Sequence, residues 1–239
     1  MKPRIYAIGF NNQKRIDTIF KSIPDKYERV ILDNGSVALK ARPGIELIVT
    51  GPGLFTEAFN AGIRDAIEHN AIPILLNDDL VIEKNCIEAM VKSIEDGAGI
   101  VAPMQVKMCN PDSVIFAGTG QAFPGGVHRI GRRSDEALLV KHNYKWLTFA
   151  AVALNPQMIQ EIGLLDPAMR MYFSDSDYCA RAVRRGWRCE YNPAGVVRHA
   201  NHAATTEKGE AWQKLHFIRD RNIFREKWGG EVLRNYSRA

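Results

Sequence analysis

The residues best suited to chemistry are two groups of carboxylates and a late histidine. Asn77-Asp78-Asp79 closes the apolar run Ile74 to Leu76. Carboxylates at the end of a buried strand are costly to desolvate unless they are paired or bind a cation. A hard divalent ion such as Mg²⁺ uses one or two of them together with phosphate oxygens. The same residues also fit a solvated turn, or a helix N-cap ahead of Glu83. Asp175 and Asp177 open a helical stretch, where the macrodipole favours acids. A carboxylate there can equally serve as a general base, taking the proton of a hydroxyl as it attacks an electrophilic carbon. Arg181, further along the same helix, would orient that carboxylate, neutralise phosphate or form a surface ion pair. His199 and His202 follow a short apolar run. A structural or solvated histidine is the plain reading, and ligation of a Mn²⁺-like ion the functional one. Taken together, these groups predict an enzyme acting on a phosphorylated, metal-bound donor.

Such a site needs elements that bring distant segments together. Apolar runs at Ile5–Ile8, Val30–Leu32, Leu47–Val49, Ile74–Leu76 and, as a fifth strand, Ile100–Ala102 alternate with helical spacing at Ile16, Ile19, Phe20 and Ile23, at Phe59, Ile63, Ala66 and Ile67 (with Thr56 as N-cap), and at Cys86, Ile87, Met90, Val91 and Ile94. The β-α-β-α order predicts an α/β fold, a Rossmann-like, mostly parallel central sheet with helices on both faces. Ligands of such sheets bind at the carboxyl ends of the strands. The polar clusters Asn11-Asn12, Asp33 to Ser36 and Asn77 to Asp79 fall there, although each alone also reads as turn chemistry. Gly118, Gly120, Pro124, Gly125, Gly126 and Gly131 predict turns. Trp146–Leu154 reads as a buried strand, Met158–Ile162 as a short helix, and Asp175–Arg185 as a helix ended by Gly186. Arg188–Tyr191 and Val196–His199 read as short strands, and Trp212–Trp228 as an amphipathic helix.

A chain of 239 residues with 46% hydrophobic and 25% charged residues can bury a full core. Its net charge of +5 suits acidic small molecules, anionic surfaces or nucleic acid without choosing among them. The four cysteines form no C-x-x-C pair, and reduced thiols are the simpler expectation. Lacking a signal-like leader and a long apolar span, the chain is expected to be soluble and cytoplasmic. It has no Walker-type G-x-x-x-x-G-K-[ST], no G-x-G-x-x-G after the first strand and no G-x-S-x-G.

The order of these motifs resembles the family 2-like glycosyltransferases of GT-A fold, especially the rhamnosyltransferase-like branch, from about residue 3 to residue 230. Gly9-Phe10-Asn11-Asn12 and Asp33-Asn34-Gly35-Ser36 look like its nucleotide-contacting strand ends. Phe59-Asn60-Ala61-Gly62 is similar to its Arg-Asn-x-Gly segment, with Phe in place of Arg. Asn77-Asp78-Asp79 looks like its D-x-D element, with Asn77 replacing the first carboxylate. Gly163-Leu-Leu-Asp166 and Tyr172 to Arg181 are similar to its Gly-x-Phe-Asp and Glu-Asp-x-x-Leu-x-x-Arg elements, with Ser174 in place of Glu. Phe149 stands where a glycine follows the Trp146 strand. The resemblance implies Gly9, Asn11, Asp33, Asn60, Asn77 and Asp78 on the nucleotide, Asp79 and His199 on Mn²⁺ or Mg²⁺, Asp175 as catalytic base, and Trp146, Asp166, Asp177 and Arg181 on the acceptor side. It also implies a donor-binding half at 1–102, an acceptor and catalytic half at 103–205, and a helical segment at 206–239.

The expected reaction is inverting transfer from a nucleotide-diphosphate sugar to a hydroxyl of a glycan precursor. A hydroxylated base in DNA is an alternative acceptor, because Lys214 to Arg238 carries seven Lys/Arg against three Asp/Glu. A non-catalytic sugar-nucleotide or glycan-binding module is the alternative of another class, motivated by Ser174 and Phe149. Sugar, nucleotide base, linkage and oligomeric state are not encoded in a readable way. Trp212 and Trp228 suit a dimer contact as well as a core.

Overall fold

A computed structural model describes residues 1–51, 54–119, 127–200 and 209–236, with side chains of the last helix up to 229. His202, Pro52, Gly53, Gly120, Pro124, Gly125 and Gly126 lie outside the described residues. In chain order the strands are β1 (Pro3–Gly9), β2 (Glu28–Asp33), β3 (Glu46–Val49), β4 (Ile72–Asn77), β5 (Leu80–Ile82), β6 (Ala98–Lys107), β7 (Asn110–Phe116), β8 (Gly131–Arg132), β9 (His142–Tyr144), β10 (Ala151–Leu154) and β11 (Arg188–His199). The helices are α1 (Gln13–Ser22), α2 (Phe55–Glu68), α3 (Cys86–Glu95), α4 (Pro156–Ile162), α5 (Ser174–Arg184) and α6 (Glu210–Tyr236).

The strands form one sheet whose main path runs β3-β2-β1-β4-β10-β6-β11-β5. Along it β3, β2, β1, β4, β6 and β11 point one way, and only β10 and β5 oppose them. The strands read as near-continuous apolar runs because both faces are covered. Successive side chains then alternate between two cores. Ile5, Ala7 and Ile31 pack with α1 and α3 through Ile16, Ile19, Phe20, Ile87 and Met90. Tyr6, Val30 and Leu32 pack on the opposite face, with α2, α4 and α5 contributing Phe59, Ile63, Met158, Ile159, Tyr178 and Ala182. Gly62 makes the close approach of α2 possible, since a Cβ there would sit about 3.0 Å from Leu32 and Leu75.

Local signals set several element ends. Asn12 caps α1 by accepting from the Arg15 N–H, and Asn155, followed by Pro156, caps α4. Thr56 is not the expected cap. It lies inside α2, and its hydroxyl donates to Met169 O. Strand β5 was not anticipated, so Ile100–Ala102 falls in the sixth strand and not the fifth. Only Ala151–Leu154 of the expected Trp146–Leu154 strand pairs. The two short late strands are one strand, β11, with a register break between Asn192 and Val196.

At the amino-terminal end of the sheet a single buried cation ties three elements. Arg4 on β1 bonds Glu28 on β2, Glu46 on β3 and Asp65 on α2, each through a contact of 2.7–2.8 Å. Burial pushes the Asp65 carboxyl up, but hydrogen bonds from Arg4 and the Tyr6 hydroxyl outweigh it and leave the group below its ordinary value. Its contribution is therefore present above the ordinary carboxylate range and is lost as acid titrates the folded form. Removing one partner of a buried pair strands the other. Arg4→Ala is expected to cost about 3 kcal/mol in urea unfolding. Glu28→Ala, whose carboxylate is largely in solvent, is expected to cost less than about 1 kcal/mol.

Candidate functional site

The chain turns at Asp78-Asp79 directly after β4 and enters β5, which pairs antiparallel with the end of β11. The register sets Leu80 opposite His199, and Ala200 N–H donates to Asp79 O at 3.0 Å. This pairing brings two side chains distant in sequence together. His199 Nε2 lies 3.2 Å from Asp79 Oδ1, and both residues are buried. On the other side of the ring, Nδ1 sits 2.9 Å from Gln105 Oε1 on β6. In this amide orientation Gln105 accepts from Nδ1–H, which leaves the Nε2 lone pair facing a carboxylate. Two acceptors held that close require a positive charge or a proton between them.

That donor set, one carboxylate and one imidazole, fits a divalent cation of the Mn²⁺ kind. Among the described residues no group of three or more His, Cys, Asp and Glu side chains converges on one point. Asp79 and His199 would therefore supply two ligands, with phosphate oxygens and water completing the shell, as is usual for Mg²⁺-like ions. Gln105 would be the outer partner fixing the imidazole tautomer. A lone glutamine within a strand gives no sequence signal for that role.

Asp175 sits in the first turn of α5 and retains a partly exposed edge. Its surroundings raise its pKa to about 6, chiefly through burial. The Ser176 and Phe149 backbone N–H groups counter this in part, as does the Trp146 indole N–H, which lies near the carboxylate without closing a bond of ordinary geometry. Phe149 precedes Ala150, whose carbonyl accepts from the Asn77 N–H at 2.9 Å. The base candidate thus borders the strand end that leads into Asp79. Phe149 is itself buried, with its ring edge-on to Tyr178, and so serves as a wall of the core.

The remaining candidates divide. Asn11, at the left-handed φ of 50°, accepts from Val37 N–H and donates its own N–H to Ser36 Oγ, while Asp33 Oδ1 accepts from Ser36 N–H. These two residues shape the loops beyond β1 and β2. Gly9 ends β1, and a Cβ there would meet Ile16 at 2.9 Å, so it admits packing of α1 as well as any ligand approach. Asn34, between them, carries a buried side-chain oxygen without a hydrogen-bond partner. Asp78 is buried beside Asp79, and Asn77 is half-buried.

Other candidates are engaged inside the fold. The Asn60 side chain donates to Leu165 O and accepts from Leu165 N–H, each at 2.9 Å, so it clamps the loop after α4. Asp177 is fully buried and bonded to Arg181 Nε, Lys227 Nζ and Trp228 Nε1. Arg181 also donates to Ile162 O and Leu164 O, which makes it a brace for the same loop. Asp166 is partly exposed and paired with Lys227 at 2.6 Å. Trp146 is half-buried beside Asp175.

No protein-family model matches the sequence, and no curated protein matches it. Solved structures do share the fold. GalNAc-T7, crystallised with UDP, GalNAc and Mn²⁺, aligns at a TM-score of 0.62 and 15% identity over 83% of this chain. The alignment covers only 44% of the GalNAc-T7 chain. A197 from STIV aligns at 0.51 and 9% identity, over 83% of this chain and 85% of its own. These likenesses show the fold: a mixed α/β architecture of GT-A type.

An acid whose pKa is raised on folding binds more protons in the folded state, so stability falls as pH rises from its unfolded value to its folded one. Asp175→Asn removes that penalty. Thermal melts should show the variant stabilised by about 3 kcal/mol at pH 8 and by less than about 1 kcal/mol at pH 4. An equal gain at both pH values would place the effect elsewhere.

Proposed function

We propose that this chain is a metal-dependent glycosyltransferase that moves a sugar from a nucleoside-diphosphate donor to an acceptor hydroxyl with inversion. The observation that carries the reading is the Asp79–His199 pair at the end of β4, with Asp175, at a raised pKa, bordering the same strand end through Phe149 and Ala150. The GT-A-type fold is compatible with it, and GalNAc-T7, which shares that fold, was crystallised with UDP and Mn²⁺. The order of motifs favours a family 2-like member of the rhamnosyltransferase-like branch.

In this reading residues 1–102 bind the donor, 103–205 present the acceptor and the base, and 206–239 form a supporting helical segment. Asp79 and His199 hold Mn²⁺ or Mg²⁺, with Asp78 and Asn77 alongside. The cation, when bound, supplies charge neutralisation for the departing diphosphate. Asp33, Asn11 and Gly9 border the nucleotide, and the buried Asn34 oxygen offers it an acceptor. Asp175 takes the proton of the incoming hydroxyl, and Trp146 flanks the acceptor. Attack on the anomeric carbon opposite the leaving diphosphate is a single displacement, so configuration inverts. A pKa near 6 leaves Asp175 ionised at neutral pH while keeping it basic enough to accept a proton. A glycan acceptor is favoured over DNA because two of the cations on α6, Arg219 and Lys227, are engaged in internal ion pairs.

The test is a transfer and hydrolysis assay over UDP-, GDP-, CDP- and dTDP-sugars, with Mn²⁺ and with EDTA. One donor should be turned over with metal only, with an acid limb near pH 6. Asp175→Asn should lower turnover by about 10²- to 10⁴-fold and leave nucleotide binding in place. Full activity in that variant would remove Asp175 from the mechanism, and the absence of turnover with every donor would contradict the reading as a whole.

A further inference from the structure

The chain enters α5 through an unusual residue. Phe173, two positions before Asp175, adopts φ 62° and ψ −2°. A left-handed conformation costs a bulky L-residue roughly 1–2 kcal/mol and persists only where the surroundings over-determine it. Here the surroundings come from α6. The Phe173 ring lies 5.3 Å from Phe217 and 5.3 Å from Phe224, stacked on the latter. The two backbone N–H groups just before it, of Met171 and Tyr172, both donate to Asp220 Oδ2, at 2.8 and 2.9 Å. Asp220 is completely buried, and Arg219 bonds its other oxygen at 2.7 Å.

A buried carboxylate in mid-helix, bonded to the backbone of another segment, is an expensive way to dock a helix. Apolar contacts alone would do so at lower desolvation cost. What the arrangement specifies is backbone position: two N–H groups and one ring are fixed immediately upstream of the first turn of α5. The Phe173 carbonyl then accepts from the Asp177 N–H at 2.9 Å and starts the helix that carries Asp175.

We infer that α6 is part of the catalytic apparatus: Asp220, with Phe217 and Phe224, locks Met171–Phe173 in the strained conformation that sets the position of Asp175. Asp220 is a positioning residue, since it acts through the loop and does not border the site. The inference rests on the assignment of Asp175 as the base.

The test compares wild type with Asp220→Ala and with the milder Asp220→Asn, which keeps an oxygen for the two N–H groups but loses the charge. For Asp220→Ala the expected result is a fall in kcat of about 10- to 100-fold with little change in donor KM, and Asp220→Asn should lie between. A second readout is independent of turnover. Carboxyl ¹³C NMR, with Asp175 assigned by loss of its signal in Asp175→Asn, should show its midpoint near 6 in wild type, moving down toward the ordinary range in Asp220→Ala as the loop relaxes and water enters. The groups facing this carboxylate are Ser176, Trp146, the Phe149 N–H and the Cys179 thiol, and none of them is altered. An unmoved midpoint together with unchanged kcat in a folded variant would overturn the inference. So would equal loss of kcat and nucleoside-diphosphate affinity with the midpoint in place, which would mark a scaffold defect. If Asp220→Ala fails to fold, Asp220→Asn decides by the same readouts. Absence of transfer in wild type would count against the glycosyltransferase reading alone, and the NMR arm would still decide the latch.

Discussion

The site depends on one pairing, that of β5 with the end of β11. Three residues of β5 oppose Val197, Arg198 and His199, and this short ladder is what sets Asp79 against His199. Without it the carboxylate would belong to a turn and the imidazole to a strand end far along the chain. The register break in β11 between Asn192 and Val196 lets the strand stay paired with β6 while its last residues line up with β5. A one-residue slip would turn His199 to the other face of the sheet, because side chains alternate with a period of two. Gln105, on the neighbouring β6, depends on the same register for its contact with the ring.

The two acids of α5 show how position decides chemistry. Asp175 and Asp177 are two residues apart, and at about 100° per residue they point to nearly opposite sides of the helix. Asp175 faces Phe149 and Trp146, meets no cation among its described partners, and is pushed toward its protonated form by burial. Asp177 faces α6 and is surrounded by Arg181, Lys227 and the Trp228 indole. The first arrangement yields a carboxylate ready to take a proton. The second yields a buried, ion-paired anchor that binds α5 to the carboxyl-terminal helix.

Much of the fold was legible from periodicity. The apolar runs and helical spacings of residues 1–100 correspond to β1–β4, α1–α3 and the start of β6, because both faces of the sheet are covered and long apolar runs have no other place to go. The acids at the end of β4, Asp175 at the start of α5 and the late histidine were legible as chemistry-bearing residues, and the structure brings Asp79 and His199 into contact. Less visible was anything set by tertiary context. The three residues of β5 are too few to show a period, and Gln105 has no local signature. Asn60 and Arg181 carry groups that suit a nucleotide or an acceptor, yet in the fold they serve the backbone of the loop after α4. Trp228 resolves as core, buried against Phe224, while Asp220 in mid-helix gave no hint of the loop it holds.

The central claim is that Asp79 and His199 together form a cation site for a nucleoside diphosphate. Electron paramagnetic resonance of Mn²⁺, titrated with protein in the presence of each nucleoside diphosphate, tests it most directly, since bound Mn²⁺ loses its sharp free-ion signal. The account predicts loss of that signal beyond what nucleotide alone causes in wild type, saturating at one ion per chain, and its recovery in both Asp79→Asn and His199→Ala. Binding of equal strength in all three proteins, or no binding in wild type with any nucleotide, would contradict it.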